Sequence, residues 1–191
     1  MTDRYHHGDL RRALIEAAVT ALGESGPGSL SLRAVAKRTG VSHAAPAHHF
    51  GDKAGLLTAV ATEGHERFAD ALERAWSETG DFVEVGVAYV RFAVDYRAYF
   101  EVMFRIELLH LDDPDLDRAR DRSNRVLYAG MDEEAAEAAP RLAAWSLVHG
   151  FAVLLMAGNF DEEVAADPEA AVREIAAQLN DLPGADRGDR R

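Results

Sequence analysis

Cysteine is missing altogether from the 191 residues. That removes disulfide frameworks, thiolate metal sites and cysteine nucleophiles, and it fits a soluble intracellular, cytoplasmic protein. No apolar stretch approaches the roughly 18 residues that cross a bilayer. The first residues, MTDRYHHGDLRR, lack the apolar core of a secretory signal. Strand-like alternation is scarce, and no internal repeat stands out. There is no P-loop, no GxGxxG and no GxSxG elbow; Ser146 lies three residues before His149 in an apolar stretch without a nucleophile's setting. An enzyme is therefore not expected, and no cofactor is implied.

Hydrophobic residues make up 48% of the chain, enough for a sizeable core. The net charge of −12 at first argues against nucleic acid, but it is unevenly spread. Residues 1–60 carry Arg4, Arg11, Arg12, Arg33, Lys37, Arg38 and Lys53 against Asp3, Asp9, Glu16, Glu24 and Asp52, a balance of +2, which leaves −14 for the rest. His6, His7, His43, His48 and His49 lie in the same third. A mildly basic head on an acidic body suits a protein that presents one end to DNA, and equally an acidic protein of uneven charge.

The pattern is all-α. Leu10, Leu14, Ala17, Ala18, Ala21 and Leu22 mark a first helix that Gly26-Pro27-Gly28 should end. Ser31 should cap a short helix over Leu32–Arg38, Thr39-Gly40-Val41 should turn, and Ser42 should cap a second short helix over His43–Phe50. Asp52 should cap a long helix with Leu57, Val60, Ala61, Phe68 and Leu72 on one stripe. Asp81 should open a buried helix. Tyr99–Leu109 should form a further apolar segment, and Asp113-Pro114 and Asp167-Pro168 should each start a helix. Pro140–Phe160 is strongly apolar. About nine helices are expected, divided into a head (1–53), a helical body (54–182) and a tail (183–191).

Helix, glycine turn and short helix form the helix-turn-helix pattern. The second helix is led by Ser42, His43 and Ala44, small or polar side chains that could approach base edges, and the helix N-termini can meet phosphates. Ser31, Arg33, Ser42, His43, Ala44, His48, His49 and Lys53 are the candidate DNA contacts. The stretch SLSLRAVAKRTGVSHAAPAHHFGDKAGLLTAV, with His49-Phe50, Lys53 and Leu56-Leu57, resembles the N-terminal domain of the TetR family of repressors. One position departs: Ala47 stands where the family usually has a tyrosine that seats the recognition helix against the DNA backbone. The body, with AYVRFAVDYRAYFEVMF and AWSLVHGFAVLLMAG, resembles a TetR subgroup with a Trp-His-Gly signature, here Trp145, His149 and Gly150.

The resemblance implies a transcriptional repressor that binds a pseudo-palindromic operator as a homodimer and is released by a small effector. Dimerisation would run through about Pro140–Phe160 and Pro168–Asn180. Tyr89, Phe92, Tyr96, Phe100, Met103, Phe104, Trp145 and His149 are the candidate effector pocket, mostly apolar with His149 as polar handle. The same side chains would serve equally well as a packed core, with indole and imidazole satisfied internally. His65, His110 and His149 lack metal-ligand spacing. A co-regulator acting by protein contact, its DNA affinity weakened at Ala47, is the alternative.

Overall fold

The computed structural model describes the backbone of residues 3–129 and 138–181 and the side chains of 10–129 and 141–177. The tail at 183–191, the acidic run Asp132, Glu133 and Glu134, and the side chains of Arg4, His6 and His7 lie outside those residues. Ten α-helices and one 3₁₀ turn make up the described chain: α1 (Asp3–Ser29), α2 (Leu32–Thr39), α3 (Ala45–Phe50), α4 (Lys53–Thr79), α5 (Phe82–Asp95), α6 (Arg97–Met103), the 3₁₀ turn Ile106–Leu108, α7 (Pro114–Leu127), α8 (Ala138–Met156), α9 (Glu162–Ala166) and α10 (Pro168–Asp181). There is no strand among the described residues, and none of their helices is long and apolar enough to cross a membrane.

Four aspartates start helices as expected. Asp52 Oδ1 accepts the Gly55 N–H at 2.8 Å, Asp81 that of Val83 at 2.8 Å, Asp113 those of Asp115 and Leu116 at 2.8 and 3.0 Å, and Asp167 that of Ala170 at 3.0 Å. Each satisfies amides that the first helical turn leaves without a carbonyl. Asp161 does the same for α9 through Val164 N. That short helix is an addition to the sequence reading. At Gly26 (φ 71, ψ 172) the first helix breaks, and Pro27 follows it.

Two compact units emerge, one of residues 1–69 and 96–125, the other of 70–95 and 126–191. Their boundaries differ from the expected division near residue 53, since α6 and α7 join the helix-turn-helix in the first unit. There α1 packs on α2 and α6, and α2 on α3. Leu14, Ala18, Val35, Ala36, Leu56, Val60 and Ala61 are sealed from solvent. The α4 stripe recurs every four residues from Leu56 to Phe68, the spacing of one helical face. In the second unit α5 packs on α8 and α10. Val85, Val87, Tyr89, Val90 and Phe92 are buried, almost all round α5, and each large side chain removed from water contributes about 1.5–3 kcal/mol. The apolar segment expected over Tyr99–Leu109 is helical only to Met103 and then turns through Ile106–Leu108.

Candidate nucleic-acid interface

The turn between α2 and α3 is built from its backbone. Ser31 is extended (φ −137, ψ 144), and its hydroxyl accepts the Ala34 N–H at 3.2 Å, capping α2. Gly40 is left-handed (φ 71, ψ 23), and the amides of Gly40 and Val41 return to Lys37 O (3.3 Å) and Ala36 O (3.1 Å). A Cβ at Gly40 would strain this helix-ending turn. The start of α3 departs from expectation. Ser42 does not cap it by its side chain. The Ser42 carbonyl takes the Ala45 N–H at 3.0 Å, a turn carries the chain through His43 and Ala44, and α3 begins at Ala45 with Pro46 in its first turn. A helix begun at His43 would need the residue-46 amide to donate to Ser42 O; proline has none, the first such bond is His48 N to Ala44 O at 2.9 Å, and α3 starts two residues later than the sequence reading placed it.

Arg33, Ser42, His43, Ala44 and His48 are exposed, and His49 is half-buried. Ser31 is exposed with its oxygen engaged in the cap. Lys53 Nζ donates to Gly28 O at 3.0 Å, tying the start of α4 to the end of α1. An ammonium has three donors, so the tether leaves others for a phosphate. Ala47 is exposed and offers only a methyl group.

Some head residues carry roles that sequence reasoning did not assign. The Arg11 guanidinium lies over the Phe50 ring, 5.3 Å from its centroid. Arg38 makes a two-pronged pair with Glu24 at 3.0 and 2.5 Å. His110 Nε2 meets Asp52 Oδ1 at 3.0 Å, and its amide donates to Thr58 Oγ1 at 2.9 Å. The hydrogen bond to Asp52 raises the His110 pKa, while the Gly55 amide and then His110 hold the Asp52 carboxyl below its ordinary range. His110 lies 58 positions from Asp52, so no local pattern signals the pair.

The eight candidate pocket residues divide between the units. Tyr96, Phe100, Met103 and Phe104 belong to the first; Tyr89, Phe92, Trp145 and His149 to the second. Phe92, Phe100 and Met103 are buried, whereas Tyr96 is 41% exposed. In the second unit Trp145 Nε1 donates to Tyr89 Oη (3.3 Å), and Tyr89 Oη lies 2.8 Å from His149 Nδ1. Burial pushes the Tyr89 hydroxyl pKa up and that of His149 down, so both stay neutral. An apolar cavity of about 850 Å³ lies in this unit, and of the eight only Trp145 borders it, beside Phe82, Gly86, Tyr128, Val148 and Val172. The three histidines without metal-ligand spacing have separate partners: Ser123 for His65, Asp52 for His110 and Tyr89 for His149.

A short capped helix, a left-handed glycine turn and a second helix led by exposed small and polar side chains define a helix-turn-helix DNA-binding regulator. Residues 14–60 match the family model for bacterial regulatory proteins of the tetR family. Residues 82–179 match the model for the tetracyclin repressor-like C-terminal domain. The chain belongs to the TetR family of transcriptional regulators. The regulator BetI of Burkholderia thailandensis is 29% identical over 174 residues, covering 82% of this chain and 88% of the relative. A Rhodococcus sp. RHA1 structure, titled as a protein with unknown function, is 32% identical with a TM-score of 0.75, covering 93% of this chain and 96% of that one. The TetR family regulator PfmR of Thermus thermophilus shares the fold at a TM-score of 0.57 and 23% identity, over 73% of this chain and 84% of that one.

Proposed function

We propose that the protein is a one-component repressor that binds a pseudo-palindromic operator as a homodimer and leaves it when a small, mostly apolar effector is taken up by the second unit. The observation that carries this reading is the exposed leading edge of α3, with Ser42, His43 and Ala44 open to solvent and Arg33 and Lys53 near it in sequence. The DNA contacts proposed are those three with Ser31, Arg33, His48, His49 and Lys53. Two such heads, held about 34–36 Å apart by dimerisation through α8 and α10, would meet successive major grooves. The effector binds best to a dimer whose heads are spaced differently, α4 carries the change along its length, and operator affinity falls.

Mobility shift on the DNA just upstream of the protein's own gene, at low salt with competitor, tests this. A discrete, competitor-resistant complex is expected. Lys53→Ala should weaken all sequences about equally and lower the salt slope by roughly one unit. Changes at His43 should alter sequence preference instead. If both variants bind as the parent does, α3 and the start of α4 are not the docking face.

A further inference from the structure

The joint between α3 and α4 is held from far along the chain. Two residues, Gly51 and Asp52, separate the helices. The Gly51 amide closes α3 on Ala47 O at 2.9 Å, and the Asp52 amide donates to Phe50 O at 2.9 Å. Asp52 then caps α4 through Gly55 N. The same Oδ1 meets His110 Nε2 at 3.0 Å, and the His110 amide donates to Thr58 Oγ1 at 2.9 Å. Thr58 is buried and its hydroxyl donates to Ala54 O at 2.8 Å, so it is fixed to the first turns of α4.

On its other side His110 opens the turn that starts α7. Its carbonyl accepts the Asp113 N–H at 3.3 Å, and Asp113 caps α7 through Asp115 and Leu116. One residue therefore ties the N-terminus of α7 to the N-terminus of α4 and to the joint beyond which α3 lies. Backbone and side chain each make one of its bonds to α4, and only the side-chain bond depends on protonation. A protonated ring gives Asp52 a charge-assisted hydrogen bond; a neutral ring gives it an uncharged one, and only from the Nε2–H tautomer.

We propose that His110 is a positioning residue for the recognition helix: it fixes the joint from which α3 projects, and operator affinity falls as its ring loses the proton that strengthens the hold on Asp52. This rests on the reading of α3 as the docking helix. The carboxylates that act on the ring are Asp52, then Asp112 and Asp113 of its own turn, and all favour the charged form. The groove that His110 lines also carries Arg11 and Arg12 of α1, His49 of α3, Glu63 and Glu66 of α4, and Asp115, Arg118, Arg122 and Arg125 of α7. Of these, only His49 has a side chain whose ordinary titration falls between pH 6 and 8, and it is common to parent and variants. His110 and Asp52 are 47% and 62% exposed, so solvent screens the pair and the effect is a few-fold one.

Fluorescence anisotropy on the DNA just upstream of the protein's own gene, at fixed salt from about pH 6 to 8.5, compares the parent with His110→Gln. Glutamine can keep an uncharged hydrogen bond to Asp52 and cannot titrate. The ratio of parent to His110→Gln affinity should fall roughly threefold as the pH rises across this range. A merely structural role would leave that ratio flat. The His110 ring is also followed by NMR without DNA, together with the α3 amides. Those amides should move with the His110 titration in the parent and lose that movement in His110→Gln. Asp52→Asn, which keeps the cap on Gly55, should bring the His110 titration to lower pH. A constant affinity ratio, α3 amides that ignore the His110 titration, or a titration unmoved by Asp52→Asn overturns the proposal. A parent that forms no operator complex defeats the docking reading of α3, and with it the effect on affinity; α3 amides that still followed His110 would leave the latch itself standing.

Discussion

At residue 47 a methyl group stands on an exposed face of α3, where the family resemblance implies a tyrosine. Nothing packs on the residue that would forbid a larger side chain, and its carbonyl is already used by Gly51 N at 2.9 Å. Ala47→Tyr should therefore fold normally and tighten operator binding by about 0.5–1.5 kcal/mol, the worth of one regained hydrogen bond. Fluorescence anisotropy at fixed salt measures this; unchanged or weaker binding would mean that the head docks in another register. A second prediction concerns His65. It is buried in the first unit, with Nδ1 3.0 Å from Ser123 Oγ and Nε2 without a partner. Burial, helped by the charge of Arg120, lowers its pKa from 6.5 to about 4 against a raising contribution from the Met103 backbone. The unfolded chain takes up a proton near pH 6.5 and the folded chain only near 4, so the unfolded state holds more protons between those values. Stability should be complete above pH 6.5, fall as the pH drops toward 4 by on the order of 3 kcal/mol, and level off below. Urea unfolding of the protein and of His65→Leu, compared across that window, separates this loss from carboxylate titration. Parallel profiles would refute it.

At the scale of elements, capping chemistry and the four-residue stripe made most of the fold legible. Asp52, Asp81, Asp113 and Asp167 start helices where an aspartate ahead of an amphipathic run should start them. Less was visible where signals conflict. Ser42 looks like a cap, but Pro46 lacks the amide that would bond the Ser42 carbonyl in such a helix, and α3 begins at Ala45. The break after Met103 carries neither glycine nor proline, and only packing sets it. The eight candidate pocket residues fall in two units, a division that periodicity alone does not reveal. Helical spacing tells which side chains face inward; whether two inward faces meet or enclose space depends on volumes that periodicity does not encode. Gly55 went unnoticed for the same reason. It lies in the first turn of α4, where the Phe50 carbonyl at the end of α3 occupies the space that a Cβ would need. Backbone cannot yield as a side-chain tip does. Gly55→Ala should cost roughly 1–3 kcal/mol and displace the end of α3. Denaturant unfolding together with loss of specific operator binding is the expected pair of results; a variant as stable and as active as the parent would show that the α3–α4 joint is slack.

For the whole molecule, the proposed mechanism depends on two chains acting together, and the surface proposed for their contact lies on α8. A monomeric helix keeps its polar side outward, yet α8 presents Leu142 (57% exposed), Val153 (44%) and Leu154 (45%) to solvent, while Val148, Phe151 and Ala152 face the core. Leu142 and Val153 are three helical turns apart, so they share one stripe with the exposed Ser146 between them. An apolar stripe of this length is what a second copy of α8 would cover, in an isologous contact where the same residues face each other. Light scattering at micromolar concentration should give twice the 20.8 kDa chain mass. Val153→Glu would put a carboxylate into this apolar stripe on each chain and should shift the population to monomer without unfolding the core, since the side chain is already solvated in one chain. Operator affinity should fall with the dimer, because one head alone contacts one half-site, whereas non-specific, salt-sensitive binding should persist. A parent protein that scatters as a monomer would remove the dimer from the mechanism. A Val153→Glu monomer that still gave the full operator complex would show instead that each head recognises its site alone.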